Sequence, residues 1–132
     1  MTALAAVLLA MALPEEGKLV AAFKGADTLL VLRHLGEERY TIEDVWNRQT
    51  FEVTRDGQTF TRELKKTAVR YELLDKGRTL TQAMTFEGTT YKTSYARVPD
   101  DKIDEEREAI EARRAEVGKK FEGELQPGGA GK

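Results

Sequence analysis

Polar and apolar residues alternate with a period of two through the middle of the chain. Eight short segments between residues 18 and 98 have the length and bounding turns of strands, with the clearest alternation in the later ones, and two to four turn-forming residues separate each segment from the next. A period of two is typical of β-strands that bury one face. The predicted strands are 18–23, 28–35, 39–46, 49–54, 58–65, 69–74, 79–86 and 89–98.

The connections between these strands are too short to return the chain for a parallel neighbour, which needs a crossover of about a dozen residues. Asp56-Gly57 and Gly77 are the strongest hairpin signals, because glycine supplies the positive φ of a tight turn. The strands should therefore form an antiparallel meander. Eight of them close most simply into an up-and-down barrel, which leaves no free edge. The predicted fold class is an all-β barrel over residues 18–98.

The alternation in the later strands separates a core face from a solvent face. Strand 28–35 is apolar on both faces, so its outer side should be covered by the N-terminal segment or by a C-terminal helix. The expected core face of the later strands comprises Phe51, Val53, Phe60, Leu64, Val69, Tyr71, Leu73, Leu80, Met84 and Phe86.

The chain changes character again after Pro99. Residues 99–122 have the composition of a charged helix, with acids early and bases late, which suits the helix dipole. Its large apolar residues are Ile103, Ile110, Val117 and Phe121, of which the first three are seven residues apart. Such a sparse stripe predicts a solvated helix that touches the barrel only through Ile103 and Ile110, if at all. Residues 123–132 are expected to be disordered.

The N-terminal residues 3–13 carry no polar side chain. This run is shorter than the roughly 20 residues of a membrane-spanning helix, but it suits the apolar part of a signal peptide. Ala10-Met11-Ala12 has the small-x-small form of a cleavage site, although no basic residue precedes the run. We expect residues 1–12 to direct the protein to a secreted or periplasmic location and residues 13–17 to be a linker. The alternative is an N-terminal helix packed on the domain.

Few residues in the chain could perform chemistry. It has no cysteine, one histidine (His34) and one serine (Ser94), and no glycine-rich phosphate loop. A Ser-His-Asp arrangement would need those two residues to meet, and nothing in their spacing indicates it. The net charge of −2 argues against nucleic-acid binding. The sequence therefore predicts no enzyme activity, cofactor, metal site, nucleic-acid partner or stable membrane span.

Several polar residues lie at positions of inward parity, where buried groups need partners. Two hypotheses follow. The residues could pair in an internal salt bridge, with Arg62 reaching Asp44, or they could anchor the polar head of an amphiphile. Trp46, beside a turn, is expected to plug a barrel end. The candidate binding residues are Asp44, Trp46, Arg62, Gln82, Tyr91, Tyr95 and Arg97.

The ending TFEGTTYKTSYARV resembles the closing hairpin of small bacterial lipocalin-like (calycin-type) proteins and, more loosely, of fatty-acid-binding proteins. The first strand, KLVAAF, lacks the Gly-x-Trp motif of lipocalins, and GAD stands where fatty-acid-binding proteins have two helices. The resemblance implies a non-catalytic barrel that binds a small apolar or amphiphilic ligand. The alternative function is an interaction module with a packed barrel that binds a protein partner.

Export is testable at the N-terminus of protein isolated from its natural host. Cleavage after Ala10-Met11-Ala12 should give mature protein that begins at or near Leu13. N-terminal sequencing measures this directly. Cytoplasmic protein that retains Met1 would contradict the signal-peptide interpretation.

Overall fold

A computed structural model of the chain, which describes residues 17–64 and 67–125, shows a closed antiparallel barrel whose strand order follows the sequence. This confirms the predicted fold class. The predicted signal segment, most of its linker and the tail beyond residue 125 lie outside the described residues. The strands are β1 (Lys18–Lys24), β2 (Leu29–Gly36), β3 (Arg39–Asp44), β4 (Gln49–Asp56), β5 (Thr59–Arg62), β6 (Ala68–Leu74), β7 (Thr79–Phe86) and β8 (Thr89–Val98).

The observed strand bounds agree with the predicted ones to within a few residues, and the largest difference is at the end of β5. β5 ends at Arg62, three residues before the predicted end, and β3 ends at Asp44 instead of residue 46. The predicted turn after Leu74 is a single 3₁₀ turn over Asp75–Gly77. Gly57 has a φ of 64° in the tight turn between β4 and β5, as the Asp-Gly pair predicts.

One layer of apolar side chains packs in the middle of the barrel interior. Its buried members include Phe23, Leu32, Ile42, Phe60 and Leu80. Because the inward residues of neighbouring strands meet in register, aromatic and branched side chains from all eight strands pack in one cluster. The predicted inward parity of β4 to β8 is thus confirmed for the residues at mid-barrel.

Three predicted core residues are exposed instead: Leu64 (44 %), Met84 (36 %) and Phe86 (45 %). Their parity is inward, but β5 ends at Arg62 and β6 begins only at Ala68. Phe86 therefore lies one residue past the end of β6, whereas Met84 pairs with Val69 and faces the cavity at the open end of the barrel. A strand face is buried only where a facing element covers it, so the core assignment of these residues is wrong.

The first and last strands close the barrel along a short seam. β1 pairs with β8 only at residues 22–24, where Phe23 lies opposite Arg97. By contrast, β7 and β8 pair along their whole shared length, from Thr79 to Phe86 on β7. With three register pairs, as few as between β4 and β5, the seam contributes little backbone hydrogen bonding to the sheet.

The C-terminal helix packs over this seam. A 3₁₀ turn (Asp100–Lys102) leads from β8 into helix α1 (Ile103–Leu125). Ile103 (6 % exposed) and Ile110 (4 %) form a second buried cluster on the outer side of the barrel, together with Ala22, Leu29, Val31, Val45 and Val98. This cluster explains why the second strand is apolar on both faces. The predicted contacts through Ile103 and Ile110, in the first half of the helix, are confirmed, but the expectation of a solvated helix is wrong, because these two isoleucines fill a compact patch.

Ion pairs fix the same half of the helix. Arg107 donates two hydrogen bonds to the Glu43 carboxylate, at 2.8 and 2.9 Å, and Arg33 donates a third at 3.0 Å. The Arg107 hydrogen bond, with a smaller contribution from Arg33, lowers the pKa of Glu43 to about 2 against the opposing effect of burial. Lys24 and Glu106 form a further pair at 3.0 Å.

Truncation of the two buried isoleucines tests whether the helix is part of the core. Ile103→Ala and Ile110→Ala should each lower the free energy of unfolding by about 2–5 kcal/mol, because each leaves a cavity over the seam. Val117→Ala is the matched control on the same helix; its side chain is 49 % exposed, so we expect a change within about 0.5 kcal/mol. Urea unfolding measures all three. Equal small effects would mean that the helix is solvated after all.

The Glu43 ion pairs predict acid sensitivity. A carboxyl whose pKa is lower in the folded state stabilises the fold above its unfolded pKa, near 4.5, and this contribution is lost as the pH falls towards 2. Glu43→Gln should cost about 1–2 kcal/mol at pH 7, since water screens a half-buried pair, and little at pH 2. Urea unfolding between pH 7 and pH 2 tests this. If the free energy of unfolding of Glu43→Gln fell between pH 7 and pH 2 as steeply as that of wild type, this prediction would be contradicted.

Candidate functional site

A cavity of about 830 Å³ opens at one end of the barrel. This open end carries the β1–β2 and β3–β4 connections, and the cavity reaches inward past Leu30 and Phe51. Its volume lies within the range of small-molecule sites, about 300–1,000 Å³. The wall is mixed: apolar and aromatic side chains alternate with hydrogen-bonding groups from β3 to β8 and from helix α1.

Arg62 is the half-buried cation of this cavity. It ends β5, and its guanidinium carbon lies 4.0 Å above the centre of the Phe51 ring. Such a cation–π contact stabilises the group but uses none of its five N–H donors. Among the described residues, no ion pair or hydrogen bond reaches Arg62. Its donors are therefore available to a group inside the cavity.

Two tyrosines and a glutamine line the wall next to Arg62. Tyr71 and Gln82 are register partners on β6 and β7, and the Tyr95 hydroxyl donates to Gln82 Oε1 at 3.0 Å. This bond leaves the Gln82 amide nitrogen as a donor. Burial raises the pKa of both phenols, and Arg62 opposes the rise at Tyr71. Both hydroxyls therefore stay protonated, and the four side chains form a wall rich in donors.

Gly25 sets the position of Tyr95. A Cβ built at Gly25 would lie 2.5 Å from the Tyr95 ring, which is closer than real side chains approach. The Gly25 backbone N–H donates to the Thr28 carbonyl at 2.9 Å, so the connection cannot move away without loss of that bond. A residue without a side chain at this position allows the tyrosine to reach Gln82.

Asp44 lines the cavity but has partners of its own, so the predicted Asp44–Arg62 pair does not form. Its carboxylate accepts hydrogen bonds from Thr28 Oγ1 (2.6 Å), the Asn47 backbone N–H (3.2 Å) and Asn47 Nδ2 (2.8 Å). Thr28 Oγ1 in turn accepts a hydrogen bond from the backbone N–H of Trp46 at 3.0 Å. Asp44 therefore joins the two connections at the open end instead of neutralising Arg62.

The structure separates the remaining candidates. Trp46 lies at the cavity mouth with its ring beneath Arg113, and it leaves this end of the barrel open. Tyr91 is 59 % exposed beyond the rim and is not part of the cavity wall. Arg97 also lies outside the cavity, because its guanidinium pairs with Asp100 at 3.4 Å. The cavity thus brings together Asp44, Trp46, Arg62, Gln82 and Tyr95.

Sequence reasoning missed the residues that close the opposite end. Arg55 lies over the Tyr40 and Phe60 rings, and it donates to the Tyr40 hydroxyl at 2.9 Å and to the Gly57 carbonyl at 2.7 Å. These contacts close the barrel on that side. The available signal was parity, because Arg55 continues the inward series of Phe51 and Val53.

Helix α1 also reaches the cavity mouth, which the sequence pattern did not indicate. Arg113 and Val117 line the mouth. Arg113 donates to the Asp27 carbonyl at 2.7 Å, and Arg114 donates to the Trp46 carbonyl at 2.8 Å. The second half of the helix is therefore attached to both connections of the open end.

His34 and Ser94 have separate hydrogen-bond partners among the described residues. His34 Nε2 contacts the Glu37 carbonyl at 2.8 Å, whereas the Ser94 hydroxyl contacts Thr81 at 3.4 Å on the outer face of the sheet. Within the described ranges, no group of three or more histidine, cysteine, aspartate or glutamate residues could hold a metal ion. Nor does any helix in them have the length and apolar character needed to cross a bilayer.

Comparisons with known proteins give no relative from which a role could be transferred. No family model, no curated protein and no solved structure matches the chain.

A double-mutant cycle tests the separation of Asp44 from Arg62. The coupling energy between Asp44→Ala and Arg62→Met should stay below about 0.5 kcal/mol, because the two side chains share no bond. The matched cycle of Asp44→Ala with Thr28→Val should give about 0.5–3 kcal/mol. Urea unfolding of the variants supplies both values. A large coupling energy between Asp44 and Arg62 would contradict their separation and support the hypothesis of an internal ion pair.

Proposed function

We propose that the protein binds, without chemistry, a small amphiphilic ligand whose anionic head group is held by Arg62. The single observation that carries this proposal is a half-buried guanidinium in an open cavity, stacked on Phe51 and without an ion-pair partner among the described residues. A buried charge is costly unless paired, so an anion from outside would complete the site.

The chemistry of the wall narrows the ligand class. The cavity wall that contains Arg62 also carries neutral donors, the phenol of Tyr71 and the amide nitrogen of Gln82. Donors converging with a guanidinium favour a carboxylate, sulfonate or phosphate over a neutral head group. Phe51, Met84 and Val117 supply apolar surface for a tail. A wholly apolar ligand fits this cavity less well than an amphiphile.

The open cavity also favours ligand binding over the alternative of a packed interaction module. The sequential strand order and the closed barrel are consistent with the lipocalin-like class, and we propose that relationship on the fold alone. A secreted or periplasmic location remains part of the proposal and rests on the signal-like residues 1–12.

Two related dyes test the head-group anchor. 8-Anilino-1-naphthalenesulfonate carries a sulfonate, and N-phenyl-1-naphthylamine has the same aromatic skeleton without it. Arg62→Met should weaken binding of the sulfonate at least about tenfold, the worth of a charged hydrogen bond, and leave the amine unchanged. The variant's stability should stay equal to wild type or rise, since a half-buried cation without an ion-pair partner among the described residues is removed.

Arg70→Met is the matched control. Arg70 lies on neighbouring β6 with its side chain exposed and outside the cavity wall, so both dyes should bind this variant as they bind wild type. Fluorescence titration gives the dissociation constants. Equal loss of both dyes in Arg62→Met, or no loss of either, would contradict an anionic anchor.

A further inference from the structure

The charged side chains that line the barrel cavity balance one another. Arg62 and Arg113 are the cations of the wall, and Asp27 and Asp44 are its carboxylates. None of the four forms an ion pair, either with another of them or with any further residue that the structure describes. A wall without net charge, whose charges stay unpaired, favours a ligand that carries both signs over one that carries only an anion.

Asp44 combines a negative charge with a free acceptor site. Its three hydrogen bonds all come from neutral donors, on Thr28 and Asn47, so they orient the carboxylate without neutralising it. Two of the bonds end on Oδ1, whereas Oδ2 accepts only from Asn47 Nδ2. A carboxylate has about four acceptor sites, so Oδ2 can accept one more hydrogen bond. An N–H group on a cation inside the cavity would supply both that bond and the opposite charge.

The two tyrosines of the wall lie close to both unpaired charges. Burial is the main cause of the raised pKa of Tyr71, and Arg62 lowers this pKa while Asp44 raises it. Asp44 also adds to the effect of burial on the pKa of Tyr95. Arg62 and Asp44 therefore act on the same phenol although no ion pair joins them. A single short head group next to Tyr71 can reach both.

The two charges at the cavity mouth are less suited to hold a ligand. Arg113 is exposed, and its guanidinium already donates to the Asp27 carbonyl at 2.7 Å and lies over the Trp46 ring. The side chain of Asp27 is exposed as well, so water screens its charge. Arg62 and Asp44 are both half-buried, and a bound molecule would shield them further from water.

We propose that the ligand of this cavity has a zwitterionic head group, whose anion is held by Arg62 and whose ammonium group donates a hydrogen bond to Asp44. This inference rests on the proposed function, because it needs the anion at Arg62. It narrows the ligand class from anionic amphiphiles to those that also carry an ammonium group.

Two lysophospholipids that differ only in the end of the head group test the proposal. Lauroyl lysophosphatidylethanolamine and lauroyl lysophosphatidylglycerol share the acyl chain and the phosphodiester, but the first ends in an ammonium group and the second in hydroxyl groups. Isothermal titration calorimetry below the micellar concentration gives both dissociation constants. Wild type should bind the ethanolamine lipid at least about fivefold more tightly, because a charge-assisted hydrogen bond is added.

Asp44→Asn should abolish this preference. The variant should bind the glycerol lipid as tightly as wild type or more tightly, because the repulsion between the carboxylate and the phosphodiester is removed. Asp56→Asn is the matched control: it makes the same exchange in the exposed β4–β5 turn, outside the cavity wall, and should keep the wild-type preference. The wild-type comparison needs no substitution, so it tests the proposal even if Asp44→Asn does not fold.

The outcomes separate this proposal from the proposed function. Equal affinity of wild type for the two lipids overturns the zwitterionic head group, and so does a preference that survives in Asp44→Asn or disappears equally in Asp56→Asn. In each of these cases the proposed function stands if Arg62→Met weakens binding of the glycerol lipid. If Arg62→Met binds this lipid as wild type does, the anionic anchor is wrong and both proposals are overturned.

Discussion

Closure of the barrel between its first and last strands is the constraint on which the rest of the structure depends. The two strands pair only at residues 22–24 of β1, so backbone hydrogen bonding there is short. Ile103 and Ile110 add an apolar patch that covers this seam from outside, against Val31 and Val98 among others. A helix with few apolar residues is sufficient because the surface that it must cover is small. The interior cavity exists only while the seam holds, since β8 supplies Thr93 and Tyr95 to its wall.

An arginine lies at each end of the barrel, and the two differ in how completely their donors are bound. Arg55 and Arg62 both have inward parity. Arg55 is fully engaged by Tyr40, Gly57 and two aromatic rings, and its end of the barrel is filled. Arg62 stacks on one ring and faces a cavity. A satisfied cation such as Arg55 closes its end of the barrel, whereas the available donors of Arg62 are the basis for proposing it as a binding group.

The alternation of residue types was sufficient to predict the strands, their order and the inward parity of Arg62 and Gln82. It could not show how far each strand has neighbours, so Leu64 and Phe86 appeared to be core residues. Nor could it show that Thr28 and Asn47 satisfy Asp44, because those contacts depend on how two connections fold against each other. The docking of Ile103 and Ile110 was underestimated for a related reason. A helix pattern shows how apolar one face is, but not how small a patch it must cover.

Hydrogen exchange at the seam tests this account most directly. In wild type, the amides of residues 22–24 should exchange about as slowly as those of β6 and β7, because the helix holds the seam closed. In Ile110→Ala the seam amides should exchange faster through local opening, while β6 and β7 keep their protection under the same conditions. If the seam amides are unaffected by this substitution, or already exchange rapidly in wild type, closure does not depend on the helix and the account is contradicted.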